Sequence, residues 1–167
     1  MSGSPGWIAG DLRIPRSVLE QVEAHARECY PSESCGFLAG PAADTARVDE
    51  AIRETNEADK YHKLDPERFP RTSTTYFKIN KLHTTRAFEG GEKAGRPIKV
   101  IYHSHCDAGA YFSAEDSATF ASNGQLMWPC AFLVVSVQKG DVVDRKLWVH
   151  VPGTNEFREA RFEVEAL

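Results

Sequence analysis

Apolar positions recur every four residues through 14–30, at Val18, Val22 and Ala26, with Pro15 where a first helical turn accepts it and Pro31 as a stop. The spacing predicts a helix there. Residues 34–39 are short and apolar and run into Gly40-Pro41, the mark of a buried strand ending in a turn. Alternation at Val48 and Ile52 predicts a strand over 48–53. Periodicity then fades. Residues 56–75, NEADKYHKLDPERFPRTSTT, carry two prolines and many charges, so a long loop is expected between elements.

A second helix is expected over 76–88, with Ile79, Leu82, His83 and Arg86 on a mixed face and Gly90-Gly91 ending it. The run IKVIYHS at 98–104 is β-branched and aromatic, as a central strand should be. A third helix should start near Ser113 and stop before Asn123-Gly124. Apolar runs at 130–137 and 142–149 flank Lys139-Gly140-Asp141 and predict a hairpin, and 157–164 predicts a last strand. Together these describe an α/β or α+β chain with a mostly antiparallel sheet.

A chain of 167 residues suits one domain, 1–167, and 41% hydrophobic with 26% charged residues describes a folded protein rather than a disordered one. The 20 basic and 24 acidic residues are scattered, which argues against a nucleic-acid partner. The N-terminus lacks the basic and apolar regions of a leader, and no apolar run is long enough for a bilayer, so a cytoplasmic protein without a membrane partner is expected. Cys29, Cys35, Cys106 and Cys130 form no C-x-x-C pair, which points to reduced thiols rather than a disulfide framework or a cysteine zinc knuckle.

Chemistry concentrates in YHSHCDAGAYFSAEDSATF, residues 102–120. On a strand, positions i and i+2 share a face, so His103 and His105 aim two imidazoles at one spot. A catalytic zinc takes three protein ligands and keeps one position open. Asp116, on the first turn of the predicted third helix, is the natural third ligand if the loop holding Gly109 turns the chain back. An ion held this way lowers the pKa of a bound water towards ~7.

Plainer readings exist for each part. Ser113-Ala114-Glu115-Asp116 is also an ordinary N-cap with an acid at N3, and His-x-His is also an ordinary polar strand end. Cap and site are compatible, because one serine can serve both. Hydrolysis further needs a proton shuttle that is not a ligand, and Glu33, leading into the buried strand at 34–39, is costly there without a purpose or partner. Its plain alternative is a solvated sheet edge. His25, His83 and His150 read as solvated side chains. In the long stretch 57–75, which precedes the histidine strand, Tyr61, His62 and Phe69 are candidates to grip a substrate tail.

Glu33, His103-Ser104-His105, seven residues, Ser113, two residues and Asp116 reproduce the pattern E…H-[ST]-H-x(7)-S-x-x-D. In this the chain resembles the JAMM, or MPN+ (JAB-type), zinc metalloproteases. Pro31, Glu33, Cys35, Gly36, Leu38 and Gly40 extend the match as P-x-E-x-C-G-x-L-x-G, and the resemblance spans about 14–148. It implies a mixed sheet flanked by helices, akin to cytidine deaminases; the 57–75 stretch, which precedes the histidine strand, is expected as a long loop or insertion near the active site. It also implies one zinc ion held by His103, His105 and Asp116, proton transfer by Glu33, and oxyanion binding by Ser113. Ser104 would support the strand. The absence of long insertions and the presence of Cys106 after the second histidine make the chain similar to compact prokaryotic members. Those members act on a ubiquitin-like protein or its conjugate, trimming a sulfur carrier after Gly-Gly or removing a modifier from lysine. A non-catalytic MPN scaffold is the alternative, though no motif ligand is missing. Nucleobase deamination fails, because Pro129-Cys130 lacks the second cysteine of P-C-x-x-C.

Overall fold

The computed structural model describes residues 5–166. After a single 3-10 turn at Gly6–Ala9, the elements run β1 (Leu12–Pro15), α1 (Arg16–Cys29), β2 (Cys35–Ala39), β3 (Glu50–Glu54), α2 (Ala58–Leu64), α3 (Lys81–Lys93) and β4 (Ile98–Cys106). They continue with α4 (Ala114–Phe120), β5 (Ala121–Ser122), β6 (Gln125–Leu126), β7 (Ala131–Gln138), β8 (Asp141–His150), β9 (Phe157–Ala160) and β10 (Phe162–Glu165). The main sheet has the order β3-β2-β4-β7-β8-β9. Only β4 and β7 pair in parallel; every other neighbour in this sheet is antiparallel. This is the mixed, mostly antiparallel α+β arrangement that the apolar pattern predicts.

Strand parity divides the core into two layers. Val100 and Tyr102 of β4 face α1, whose Val18, Leu19, Val22 and Ala26 pack with Leu38, Leu133 and Val135. Ile101 faces the opposite layer, where Phe37, Phe77, Phe88, Phe120 and Phe132 gather. Two glycines let neighbouring chain approach β2 closely. A Cβ on Gly36 would sit 2.3 Å from the Ile52 carbonyl oxygen and 2.5 Å from the Tyr102 ring, and one on Gly40 would sit 2.2 Å from the Arg47 carbonyl oxygen. Both positions belong to the P-x-E-x-C-G-x-L-x-G stretch, and their glycines have a steric reason.

Four boundaries differ from the sequence reading. Residues 14 and 15 are strand, not helix, because Leu12–Pro15 pairs in parallel with Phe162–Glu165 across almost the whole chain. For the same reason the single strand expected over 157–164 is split at Arg161 between two sheets. The stretch 57–75 is not a plain loop, since α2 forms at Ala58–Leu64. Asn56 explains this: its Oδ1 accepts from the N–H of Ala58 and of Lys78, and its Nδ2 donates to the carbonyls of Glu33 and Tyr76. Those bonds also keep 76–79 out of the helix, so α3 starts later than expected, capped by Asn80, and runs through Gly90-Gly91 to Lys93.

Two turns follow the sequence closely. Asn123-Gly124 joins β5 to β6 and Lys139-Gly140 joins β7 to β8, each with both residues at positive φ, the geometry that suits a two-residue hairpin. Lys99 is fully buried and its Nζ donates to the carbonyls of Pro41, Asp44 and Arg47 at 2.9, 2.6 and 2.7 Å. The ammonium thus replaces water around the 41–47 turn. Among the described residues no helix is long and apolar enough to cross a membrane.

Candidate metal centre

His103 and His105 lie at the end of β4, on the Ile101 face, with β2 on one side and β7 on the other. Beyond Cys106 the chain turns sharply at Asp107, whose φ of 57° is left-handed; this residue, rather than Gly109, takes the special conformation. Asp107 is held by its own N–H on Val137 O, by Lys139 N–H on Oδ1 and by Tyr30 Oη–H on Oδ2. Gly109 serves through its carbonyl, which accepts the His105 Nδ1–H at 2.8 Å. Trp148 Nε1 donates to Ala110 O at 2.9 Å and closes the loop onto β8.

The returning chain forms the N-cap of α4. Ser113 Oγ accepts the Asp116 N–H and Asp116 Oδ2 accepts the Ser113 N–H, both at 3.0 Å, a reciprocal capping box. The same Oδ2 lies 3.1 Å from His103 Nε2 and 3.2 Å from His105 Nε2, and the two Nε2 atoms are 3.2 Å apart. The loop and cap therefore bring the three expected ligands together, each buried.

This donor set fits a metal ion. With Nδ1–H committed to Gly109, a neutral His105 offers a lone pair at Nε2. Burial opposes ionisation of Asp116, but the two imidazoles and the Ser113 N–H outweigh it and hold the carboxyl well below the usual range. Three electron-rich atoms thus face one another in a place without room for water between them, and a cation satisfies all three. The His103 ring is fixed by stacking on Phe77, centroids 4.3 Å apart and 22° from parallel, and its Nδ1 is buried without a hydrogen-bond partner among the described residues.

Glu33 is buried at the entrance to β2. Its backbone is gripped on both sides: its N–H donates to Ser73 O at 2.7 Å, and its carbonyl accepts Asn56 Nδ2 at 3.0 Å. Burial pushes its carboxyl up to about 8, opposed by His105 and reinforced by Asp116. Glu33, His105, Ser113 and Asp116 line one cavity of about 120 Å3 together with Arg71, Thr74 and Tyr111. A larger hollow of about 510 Å3 between β1, β8 and β10 shares none of these residues and is edged by the ion pairs Arg145–Glu23 and Lys146–Glu159.

Of the tail-gripping candidates, Tyr61 and Phe69 pack on each other with ring centroids 5.0 Å apart, and His62 Nδ1 bonds Phe69 O at 2.8 Å. None of the three lines the cavity beside His105. They fold the α2 segment onto itself, and the residues this segment sends to the cavity are Arg71, Thr74 and Thr75. His25 and His150 are buried rather than solvated, bonded to Tyr102 Oη and Thr154 O respectively. Cys106 borders the cavity, and burial raises its thiol to about 12, so it stays protonated and unreactive at neutral pH.

The model of prokaryotic homologs of the JAB domain matches residues 15–151. The chain belongs to this family. It is 32% identical over 105 residues to the CysO-cysteine peptidase of Mycobacterium tuberculosis strain H37Rv, with 63% of this chain and 62% of that protein covered. The same values hold for the CysO-cysteine peptidase of Mycobacterium bovis; the chain thus spans somewhat less than two thirds of these curated relatives. The fold is shared with a protein from Desulfitobacterium hafniense at a TM-score of 0.65, 21% identity, and coverage of 93% of this chain and 94% of that one. It is also shared with a JAB1/MPN domain protein from Archaeoglobus fulgidus, at a TM-score of 0.55, 17% identity, and coverage of 93% and 99%.

Proposed function

We propose that this JAB-family chain is a zinc-dependent metallopeptidase that hydrolyses the bond following the C-terminal Gly-Gly tail of a ubiquitin-like sulfur-carrier protein. The observation that carries the reading is the shared cavity: a buried Glu33 beside three converging ligand atoms, with Ser113 lining the same space. Membership of the family and likeness to proteins named CysO-cysteine peptidase support the substrate class. Four free cysteines suit a reducing cytoplasm.

His103, His105 and Asp116 would hold the zinc. When bound, zinc supplies a Lewis acid for the scissile carbonyl and an acidified water. Glu33, a buried carboxyl that is not a ligand, takes a proton from the attacking water and returns it to the departing amine. Ser113 Oγ accepts from Asp116 N–H through a lone pair, which leaves its own O–H to donate to the developing oxyanion.

The test is to purify the protein, measure its zinc, and incubate it with a ubiquitin-like protein extended beyond Gly-Gly, following the C-terminus by mass spectrometry. Stoichiometric zinc and trimming to Gly-Gly are expected, with zinc retained and trimming lost in Glu33→Gln. Release from a lysine conjugate without trimming would reassign the enzyme to isopeptide bonds, and a protein with neither zinc nor cleavage would be a scaffold.

A further inference from the structure

The overall charge balance conceals a local excess. The whole sequence has 20 basic and 24 acidic residues, yet residues 60–81 hold six lysines and arginines against two acids, Asp65 and Glu67. The carboxylates at hand do not neutralise this excess. Asp65 Oδ1 accepts the backbone N–H of Arg68, and only Lys60 and Arg71 reach an acid, Glu57 at 3.3 Å and Glu115 at 3.6 Å. Lys63, Arg68, Lys78 and Lys81 pair with no carboxylate among the described residues.

Three of these cations gather beside the Glu33 cavity. Arg71 lines that cavity and also a neighbouring hollow of about 180 Å3, whose other walls are Arg68, Phe69, Pro70, Tyr76 and Glu115. The Arg68 guanidinium lies 5.3 Å from the centre of the Phe69 ring, and Lys78 Nζ lies 5.6 Å from the same ring and 5.1 Å from that of Tyr61. An aromatic face steadies a cation without neutralising it. The backbone beneath is fixed too: Phe69 N–H bonds Asp65 O, Phe69 O bonds His62 Nδ1, and Lys78 N–H bonds Asn56 Oδ1. Arg68 and Arg71 are exposed and Lys78 is half-buried. Glu115 is the one acid on this ledge, and its pair with Arg71, with side chains 49% and 46% exposed, contributes little in water and can exchange for another acceptor.

A Gly-Gly tail has no side chains by which one protein can be told from another, and at ~3.3–3.6 Å per residue it spans about 7 Å. Recognition therefore falls to the folded body behind the tail, which meets the enzyme on the surfaces around the cavity. The ledge adjoins the cavity through Arg71 and is one of those surfaces. Its charge selects an acidic face. Guanidinium forks match carboxylates, and opposite charge across an interface speeds encounter and rejects partners of the wrong sign.

We propose that Arg68, Arg71 and Lys78 form a docking ledge for an acidic face on the folded body of the protein whose tail is cut. The inference rests on the peptidase reading above and adds how the enzyme tells one Gly-Gly-tailed protein from another.

The experiment uses three probes that share one tail, extended beyond Gly-Gly: a ubiquitin-like protein with aspartates and glutamates on the face that carries the tail, the same protein with those acids changed to lysine, and the tail alone as a peptide. For the zinc-loaded wild-type protein at low salt, kcat/KM should favour the acidic protein over the other two by about 10- to 100-fold, the scale of electrostatic steering. Raising the salt from about 0.01 to about 1 M shortens the screening length from about 30 to about 3 Å and should remove most of that preference. The double reversal Arg68→Glu with Lys78→Glu should bring the ratio to about 1 or below, whereas Arg68→Lys should keep most of it. Lys93→Glu, which reverses an exposed charge at the end of α3, should keep it as well. Binding of the trimmed acidic protein, read by fluorescence anisotropy, should weaken in the double variant alongside cleavage. Equal cleavage of all three probes by the wild type overturns this inference and leaves the peptidase reading intact. A preference that survives the double reversal, or that Lys93→Glu removes just as fully, overturns the assignment to this ledge. Cleavage of no probe overturns the peptidase reading itself, and the inference with it.

Discussion

Ser104 Oγ accepts the backbone N–H of Ser34 at 2.7 Å and lies 3.0 Å from the Ser34 hydroxyl. The residue between the two histidines is thereby tied to the residue that follows Glu33. The contact crosses seventy positions of sequence, from β4 to the entrance of β2, and it sets the distance between the ligand pair and the proton carrier. Both serines are buried, so removing the acceptor leaves a donor unsatisfied.

Ser104→Ala should therefore lower stability by about 1–3 kcal/mol. It should also reduce turnover more than zinc content, because Glu33 shifts while His103, His105 and Asp116 keep one another. Denaturant unfolding, metal analysis and kcat on one preparation separate the two effects. Equal loss of zinc and turnover would contradict this division.

The raised pKa of Glu33 carries a sign that can be checked. A carboxyl pushed up to about 8 by burial favours the protonated form in the folded protein. Its contribution to stability is complete below the unfolded value of 4.5 and is lost as pH rises through about 8. Metal-free wild-type protein should lose Tm between about pH 5 and pH 8 relative to metal-free Glu33→Gln, which cannot ionise. Parallel Tm curves for the two proteins would show that Glu33 is not held protonated.

Chelation should destabilise the wild type and spare a ligand variant. A metal bound at a thousand times its Kd contributes about 4 kcal/mol by mass action. Asp116→Asn and His103→Ala should abolish binding, so chelator should leave their Tm unchanged while lowering that of the wild type by several degrees. Scanning fluorimetry with and without chelator decides this.

Lys99→Met probes a cation remote from the site. Loss of the ammonium strands three carbonyls that now accept from it, at a cost of about 2–4 kcal/mol. Zinc stoichiometry should stay at the wild-type value, since Pro41, Asp44 and Arg47 lie outside the cavity.

What could be read from the sequence follows the physical range of each interaction. The shared face of His103 and His105 is a matter of strand parity, and the return of Asp116 depends on a short loop and a cap, all local. Gly36 and Gly40 sit where the match to the motif has them, and the neighbouring backbone accounts for both. The pairing of β1 with β10 joins residues about 150 apart, which no local pattern encodes. At 56–75 order comes from Asn56 and Asp59 bonding residues 14 to 23 positions away, so a stretch without periodicity still holds a helix and a pinned turn. For the same reason nothing in the sequence marks Arg71 as a residue of the cavity. In sequence it is one charge among many, whereas Tyr61, His62 and Phe69 are conspicuous rings that bind one another, two by packing and His62 through the Phe69 carbonyl.

Asp116 Oδ2 serves two masters at once, since the oxygen that faces both imidazoles is also the one that caps α4. A helix of only seven residues has little intrinsic persistence. Local opening of 113–120 should therefore track the occupancy of the metal centre. Amide protons of Ser117 and its neighbours should exchange fast in the metal-free chain and slowly once the ion is bound, while β7 stays protected in both states.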